Sequence, residues 1–308
     1  MYEKWKGVHT RCAFNMIQEL IPLTRPRTLA AALGPTILGA AFSYYAFGAA
    51  QGTGLAIFHT VLIFLAVVTA QIVANLWNEY KDFKSGLDAG QKVGNAGSIT
   101  RGVITPELII TMIKVLMFVP IIIGLYLSAT ITWYYIPVGF LCILISFLYS
   151  GGPKPISRTP FGEISSGIAM GFTIVLITGY AWIRELSLAL LIPAIPSTLL
   201  VGSIMLTNNI RDIRNDESHG RHTLPIVLGR ERALSLMSIS YIFNFIWIIA
   251  WIIVGHMTWF ALLAFLAAPL AFKTIRTLST NTDEFQLDKA MGTTAGAAMI
   301  YQIGRAHV

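Results

Sequence analysis

The segment LAIFHTVLIFLAVVTAQIVANLW, from Leu55 to Trp77, contains no Asp, Glu, Lys or Arg and continues directly into NEYKDFKSGLD, from Asn78 to Asp88. Because a helix needs about 20 apolar residues to cross the hydrocarbon core of a bilayer, Leu55–Trp77 is predicted to span a membrane. The acidic and amide residues that follow then lie at a membrane edge. Carboxylates are costly there, so they need a partner or a purpose.

The whole chain has the composition of a polytopic membrane protein. Of its 308 residues, 55% are hydrophobic and 12% are charged, whereas about a quarter of the residues in a soluble domain are charged. No linker or low-complexity stretch divides residues 1–308, which predicts a single all-α transmembrane domain. The nine predicted spans are Leu29–Phe47, Leu55–Trp77, Leu108–Leu127, Tyr134–Ser150, Phe161–Ile183, Ser187–Thr207, Ala233–Val254, Trp259–Phe272 and Ala290–Gly304.

The excess of basic residues follows the positive-inside rule and does not point to nucleic-acid binding. Lys and Arg concentrate before the first span and in alternate loops, and Arg184 is the only basic residue in the opposite loops. This distribution predicts a multi-pass plasma-membrane protein whose N-terminal segment (1–22) and acidic clusters face the cytoplasm. The last six residues, IGRAHV (303–308), back-translate to the start of a common sequencing adapter, so we expect this tail to be non-native.

A second cluster, NNIRDIRND from Asn208 to Asp216, follows the sixth predicted span. It repeats the spacing of the first cluster, since Asp212 lies four residues from each end, as Asp82 lies four residues after Asn78. Residues four apart share one face of a helix. Each cluster therefore presents its oxygens on one side.

These oxygens favour Mg²⁺ over Zn²⁺ or copper, because the clusters combine carboxylates and amides without cysteine. Mg²⁺ commonly binds one or two carboxylates together with substrate phosphates. Two such sites facing one cavity would suit a diphosphate. The predicted metal ligands are Asn78, Asp82, Asp88, Asn208, Asp212 and Asp216.

Four basic residues near the clusters are candidate diphosphate contacts, since ammonium and guanidinium groups bind phosphate. They are Arg101, Lys154, Arg211 and Arg221. Membrane topology alone also accounts for each of them. In the same way, the acidic residues have an alternative interpretation as solvated loop charges. Glu163, in PFGEIS, is expected to cap its helix or to orient Arg158.

Four stretches resemble the UbiA superfamily of intramembrane prenyltransferases, and within it the branch that acts on 1,4-dihydroxy-2-naphthoate. They are NLWNEYKDFKSGLD (75–88), GSITRG (97–102), YSGGPKPISRTPFGE (149–163) and LTNNIRDIRNDESHGRHTLPIVLG (206–229). The resemblance extends from Leu23 to the ninth span. It implies nine transmembrane helices around a central cavity open to the membrane, with Mg²⁺ held by two Asp-rich motifs.

The first superfamily motif is N-D-x-x-D-x-x-x-D, in which Asn78 and Asp82 match and Glu79 replaces the Asp after the Asn. Asp88 lies two residues later than the general pattern. In the second motif, D-x-x-Y-x-x-x-D, the three positions are occupied by Asn209, Asp212 and Asp216. Asp in place of Tyr is similar to the naphthoate branch.

The resemblance implies transfer of a polyprenyl group from its diphosphate to a dihydroxynaphthoate ring, with loss of carbon dioxide. Asp82, Asp212, Arg101 and Lys154 are the expected catalytic residues, and Asn75, Asn209 and Tyr149 are expected to bind substrate with the basic residues. Phe83, Tyr149 and Phe161 are candidate shields for an allylic cation. Another aromatic acceptor (hydroxybenzoate, homogentisate or a chlorophyllide) remains open, as does an ion-coupled transporter.

Overall fold

The computed structural model describes residues 20–87 and 97–305. These residues form an all-helical bundle, and none of them is in a β-strand. The predicted metal ligand Asp88 and the N-terminal segment up to residue 19 lie outside the described residues. The predicted non-native tail (303–308) is described only to residue 305, and its origin stays a prediction.

Eleven helices follow one another after a short 3₁₀ turn at Pro26–Leu29. Their bounds are α1 Ala30–Phe47, α2 Thr53–Ser85, α3 Pro106–Thr130, α4 Tyr135–Ser150, α5 Gly162–Ile183, α6 Leu188–Arg211, α7 Ile213–Ser218, α8 Leu224–Leu228, α9 Arg230–Ile253, α10 Trp259–Thr280 and α11 Glu284–Gly304.

Six of these helices are long and apolar enough to cross a membrane: α2, α3, α5, α6, α9 and α10. A seventh apolar helix, α4, has 16 residues. Large apolar side chains cover the outside of the bundle, such as Phe118 and Phe272, and a surface of this kind suits a lipid environment. The chain is thus a multi-pass membrane protein. The exact number of nine spans stays a prediction, although a helix overlaps every predicted span.

Local sequence signals determine where the helices at the clusters begin and end. Gly86 ends α2 in the left-handed conformation (φ 74°), and its N–H donates to the carbonyls of Asp82 and Phe83. Glycine takes this conformation without a steric penalty. The side chain of Thr105 caps α3, and Pro106 occupies its first turn. The helix that carries most of the first acidic cluster therefore ends at Ser85, and the next helix begins at Pro106.

The core is built by close contacts between α1, α5, α6 and α11 on one side and between α2 and α3 on the other. Small residues permit the closest approaches. A Cβ on Gly171 of α5 would lie 2.6 Å from the carbonyl oxygen of Ser197 in α6, and one on Gly39 would lie 2.8 Å from that of Val175. Gly171 lies in a π-helical stretch, Gly167–Phe172, of α5. Such interruptions often occur at functional sites.

Substituting Gly171 by Ala should destabilise the bundle, because the added methyl group collides with the α6 backbone. Overpacking of this kind costs about 1–3 kcal/mol. Gly292 of α11 is the matched control, since a Cβ there meets no atom within 4 Å. We expect thermal unfolding in detergent to show a lower Tm for Gly171→Ala and an unchanged or raised Tm for Gly292→Ala. Equal Tm values would show that the α5–α6 contact is not tight.

Candidate active site

A cavity of about 340 Å³ runs through the bundle between α2, α4, α5 and α6. Its polar end lies where α2 and α6 finish, and both acidic clusters line it. The polar lining includes these residues singled out from the sequence: Asn75, Asn78, Asp82, Tyr149, Asn208, Asn209, Arg211, Asp212, Asp216 and Arg221. Clusters separated by about 130 residues of sequence therefore share one cavity.

Arg221 joins the two clusters directly. Its Nη2 lies 2.9 Å from Asp82 Oδ1, and its Nη1 lies 3.2 Å from Asp216 Oδ1. The Arg221 N–H also donates to the Asp216 carbonyl. All three side chains are largely shielded from solvent, so the ion pairs act in a medium of low dielectric constant. One guanidinium thus holds a carboxylate from each half of the chain.

Arg211 organises the second cluster. Its Nε and Nη2 donate to the two carboxylate oxygens of Asp212 at 2.7 Å, and Nη2 also donates to Asn208 Oδ1 at 2.8 Å. Its Nη1 donates to Asp288 Oδ1 of α11 at 2.8 Å. This side chain therefore contacts two predicted metal ligands rather than solvent.

Amide groups at the site are each fixed by a neighbouring element. The Asn78 Oδ1 accepts a short hydrogen bond from the Ser150 hydroxyl, and Asn75 Nδ2 donates to the Thr24 carbonyl at 2.9 Å. Asn209 Nδ2 donates to Glu163 Oε1 at 2.8 Å. Glu163 therefore has Asn209 as a side-chain partner. The sequence predicted helix capping or a contact with Arg158 and did not predict this partner.

Glu79 faces the protein rather than the cavity. Its Oε1 accepts the backbone N–H groups of Gly97, Ser98 and Ile99 at 3.0, 2.8 and 3.4 Å, and the residue is almost fully buried. A carboxylate is well suited to accept several amides. Although Glu79 occupies a motif position, it anchors the loop that carries Arg101.

The oxygens at the polar end fit a hard divalent cation. Burial raises the pKa of Asp216 to about 7, against the opposing effect of Arg221, and Asp216 Oδ2 is buried without a hydrogen-bond partner. A cation beside this oxygen would favour its ionised form. Across residues 20–87 and 97–305, no three His, Cys, Asp or Glu side chains are grouped to hold a metal by themselves. Amides, waters or ligand phosphates would have to complete its coordination, as is common for Mg²⁺.

Two predicted phosphate contacts lie away from the cavity lining. Arg101 and Lys154 are both exposed, and Arg101 Nη2 donates to the Ser98 hydroxyl at 3.2 Å. Among the candidate aromatic shields, Tyr149 lines the cavity, whereas Phe83 and Phe161 are exposed. The roles of Arg101 and Lys154 stay predictions.

The sequence reasoning did not assign site roles to Arg25, Ser150 or Asp288, which also line the cavity. Arg25 adopts a left-handed backbone conformation (φ 50°), and such a conformation in a residue other than glycine often marks a functional site. In the sequence, Arg25 is one of several basic residues before the first span, a position that indicates topology only. Asp288 lies far from either motif, so no spacing pattern could have identified it, whereas Ser150 follows Tyr149 in one of the stretches that carry the resemblance.

An apolar arm extends from the polar end between α2, α3, α4 and α5. Gly124 and Gly139 face open space in this arm, since a Cβ on either would meet no atom within 4 Å. Tyr135 also lines the arm, and its hydroxyl donates to the Ile177 carbonyl at 2.6 Å, linking α4 to α5. The arm can hold a long apolar group next to the charged end.

Comparisons with known proteins agree with this geometry. The model of the UbiA prenyltransferase family matches residues 32–296. The chain is 36% identical to the 1,4-dihydroxy-2-naphthoate octaprenyltransferase of Bacillus subtilis (strain 168), over 91% of this chain and 88% of that protein. The resemblance to this superfamily inferred from the motifs is confirmed.

Two solved structures have the same fold. A UbiA homolog from Aeropyrum pernix K1 aligns with a TM-score of 0.67 at 18% identity, covering 90% of this chain and 96% of that one. A UbiA homolog from Archaeoglobus fulgidus bound to GPP and Mg²⁺ aligns with a TM-score of 0.58 at 18% identity, covering 94% and 100%. With a family match across most of its length, the chain belongs to the UbiA prenyltransferase family and is a membrane-embedded prenyltransferase.

Proposed function

We propose that this enzyme transfers a polyprenyl group from polyprenyl diphosphate to 1,4-dihydroxy-2-naphthoate with loss of carbon dioxide and diphosphate, giving the quinol form of demethylmenaquinone. The observation that carries the proposal is the convergence of Asp82, Asp212 and Asp216 in one cavity that continues into an apolar arm. The name of the Bacillus subtilis relative supports the acceptor. The GPP bound to the Archaeoglobus fulgidus homolog supports the donor class.

Asn78, Asp82, Asn208, Asp212 and Asp216 would hold Mg²⁺, because their oxygens line the polar end and Asp216 Oδ2 has no other partner. When bound, Mg²⁺ supplies neutralisation of the diphosphate charge as the carbon–oxygen bond breaks. Asp88 is proposed as a further ligand from its place in the motif.

Arg221 has two sets of partners in this proposal. Without substrate it neutralises Asp82 and Asp216, which lowers the cost of keeping two acids out of water. Its Nε is buried without a partner, so a donor remains for a phosphate oxygen. Arg25 lies in the same cavity and can share the charge of the leaving diphosphate.

The apolar arm would hold the prenyl tail and keep water from the reacting carbon. Ionisation of the carbon–oxygen bond produces an allylic cation, which water would quench. Tyr149 lines the cavity one residue before Ser150, which donates to Asn78, so its ring can face that cation. The naphthoate ring then forms the new carbon–carbon bond, and carbon dioxide leaves in place of a proton.

Family membership removes the ion-coupled transporter as an alternative, whereas other aromatic acceptors remain outcomes of the test. The positive-inside pattern supports a plasma-membrane enzyme whose N-terminal segment and polar cavity end face the cytoplasm.

The acceptor should be identified by incubating membranes containing the enzyme with Mg²⁺, a long prenyl diphosphate and a panel of acceptors. The panel contains 1,4-dihydroxy-2-naphthoate, 4-hydroxybenzoate, homogentisate and a chlorophyllide. We expect mass spectrometry to detect a prenylated naphthoquinol lacking the carboxyl group, or the quinone formed from it by oxidation in air, together with release of carbon dioxide. A product formed preferentially on another acceptor would overturn the naphthoate assignment.

Replacing Asp82 or Asp212 by Asn should lower kcat at least about 100-fold, because each change removes a carboxylate that would hold the Mg²⁺ that neutralises the diphosphate in a water-excluded site. Folded protein should remain in the membrane, since Asn has the same shape. Glu107→Gln, in the first turn of α3, is the control and should retain activity. Near-normal turnover by Asp82→Asn would contradict the metal assignment.

Filling the apolar arm should discriminate between donors of different length. Gly139→Leu places a side chain in open space, so we expect KM for a long prenyl diphosphate to rise about tenfold while KM for dimethylallyl diphosphate stays the same. This rise corresponds to about 1.4 kcal/mol of lost binding free energy. Gly292→Leu is the control outside the cavity. An equal effect on both donors would place the tail elsewhere.

A further inference from the structure

Arg211 is engaged almost entirely by protein oxygens. A guanidinium has five N–H groups, and four of them donate to Asp212, Asn208 and Asp288 at 2.7–2.8 Å. The side chain is 8% exposed. Little donor capacity therefore remains for a phosphate, although the sequence predicted Arg211 as a diphosphate contact.

The geometry gives Arg211 a different task. Its Nε and Nη2 make a bidentate (two-pronged) contact with both carboxylate oxygens of Asp212, and Nη2 also donates to Asn208 Oδ1. Each oxygen retains a second acceptor site, so the same oxygens can still face a cation. Arg211 thus determines the orientation of two proposed metal ligands on consecutive turns.

Asp288 fixes Arg211 from a separate helix. Its Oδ1 accepts from Arg211 Nη1 at 2.8 Å, and α11 is held in place by packing on α1, α6 and α10. The three side chains carry one positive and two negative charges. Without Asp288, Asp212 would balance a larger share of the charge of Arg211, which would reduce the attraction of Asp212 for a cation.

We propose that Asp288 is a positioning residue for the metal site. Acting through Arg211, it holds Asp212 and Asn208 in the orientation that binds a divalent cation, and it does not touch the cation itself. The inference rests on the proposed function for its biological meaning. Its test, however, is a binding measurement that does not require prenyl transfer.

The test is a titration of purified enzyme with Mn²⁺, followed by electron paramagnetic resonance, with and without inorganic pyrophosphate. Mn²⁺ favours the same carboxylate and carbonyl oxygens as Mg²⁺. We expect Asp288→Asn to weaken Mn²⁺ binding about tenfold, since partners that orient metal ligands commonly contribute 10–100-fold to affinity. Asp288→Glu, which keeps the charge, should recover part of that loss.

Glu284→Gln is the matched control, because it removes one negative charge from the same helix, one turn earlier and outside the cavity lining. Its Mn²⁺ affinity should equal that of the unmodified enzyme. The Tm without added metal should change little in either variant. If Asp288→Asn does not fold, Arg211→Lys serves as the second variant, because Lys keeps the charge but cannot make the two-pronged contact.

Two results would overturn the proposal. One is unchanged Mn²⁺ affinity in folded Asp288→Asn. The other is a loss confined to pyrophosphate affinity, which would make Arg211 a direct phosphate contact. The double variant with Arg211→Lys should bind Mn²⁺ no more weakly than the worse single variant, since both act through one contact. If the unmodified enzyme binds Mn²⁺ but makes no prenylated product, the proposed function fails while the positioning role stands.

Discussion

The two ion pairs of Arg221 join the two acidic clusters at the polar end of the cavity. Asp82 comes from α2 and Asp216 from α7, and their only shared side-chain partner in the described part of the chain is this guanidinium. Separating a buried ion pair is strongly unfavourable because it leaves an uncompensated charge. Arg221 therefore allows acids to be concentrated at a cavity end before any cation arrives.

Charged side chains around Arg221 are also paired with protein groups. Arg211 shares its donors between two carboxylates and an amide, and Glu79 Oε1 accepts three backbone N–H groups. Acidic residues at a membrane edge thus divide into two types. Some bind arginine inside the cavity, and one organises the loop beside it.

One cavity contains both the charged end and the apolar arm. Charged groups gather at the ends of α2 and α6, whereas the arm is lined mainly by apolar and small side chains, together with Tyr135. A donor with a charged head and an apolar tail has the same division. The low dielectric constant of the surroundings strengthens the charge interactions at the head. The apolar walls of the arm exclude water from the carbon that reacts.

The long apolar segments are enough to predict the fold class, because segments of this length satisfy their backbone groups in a bilayer as helices. The four-residue spacing of Asn78 with Asp82, and of Asp212 with Asp216, also indicated which oxygens share a face. Which helix faces lie against each other depends on how the separate helices pack. This packing turned Glu79 away from the cavity, left Arg101 and Lys154 exposed, and brought Asp288 to Arg211 across 77 residues. Helical periodicity specifies the direction of a side chain relative to its own axis, whereas the packing of separate helices decides its partner.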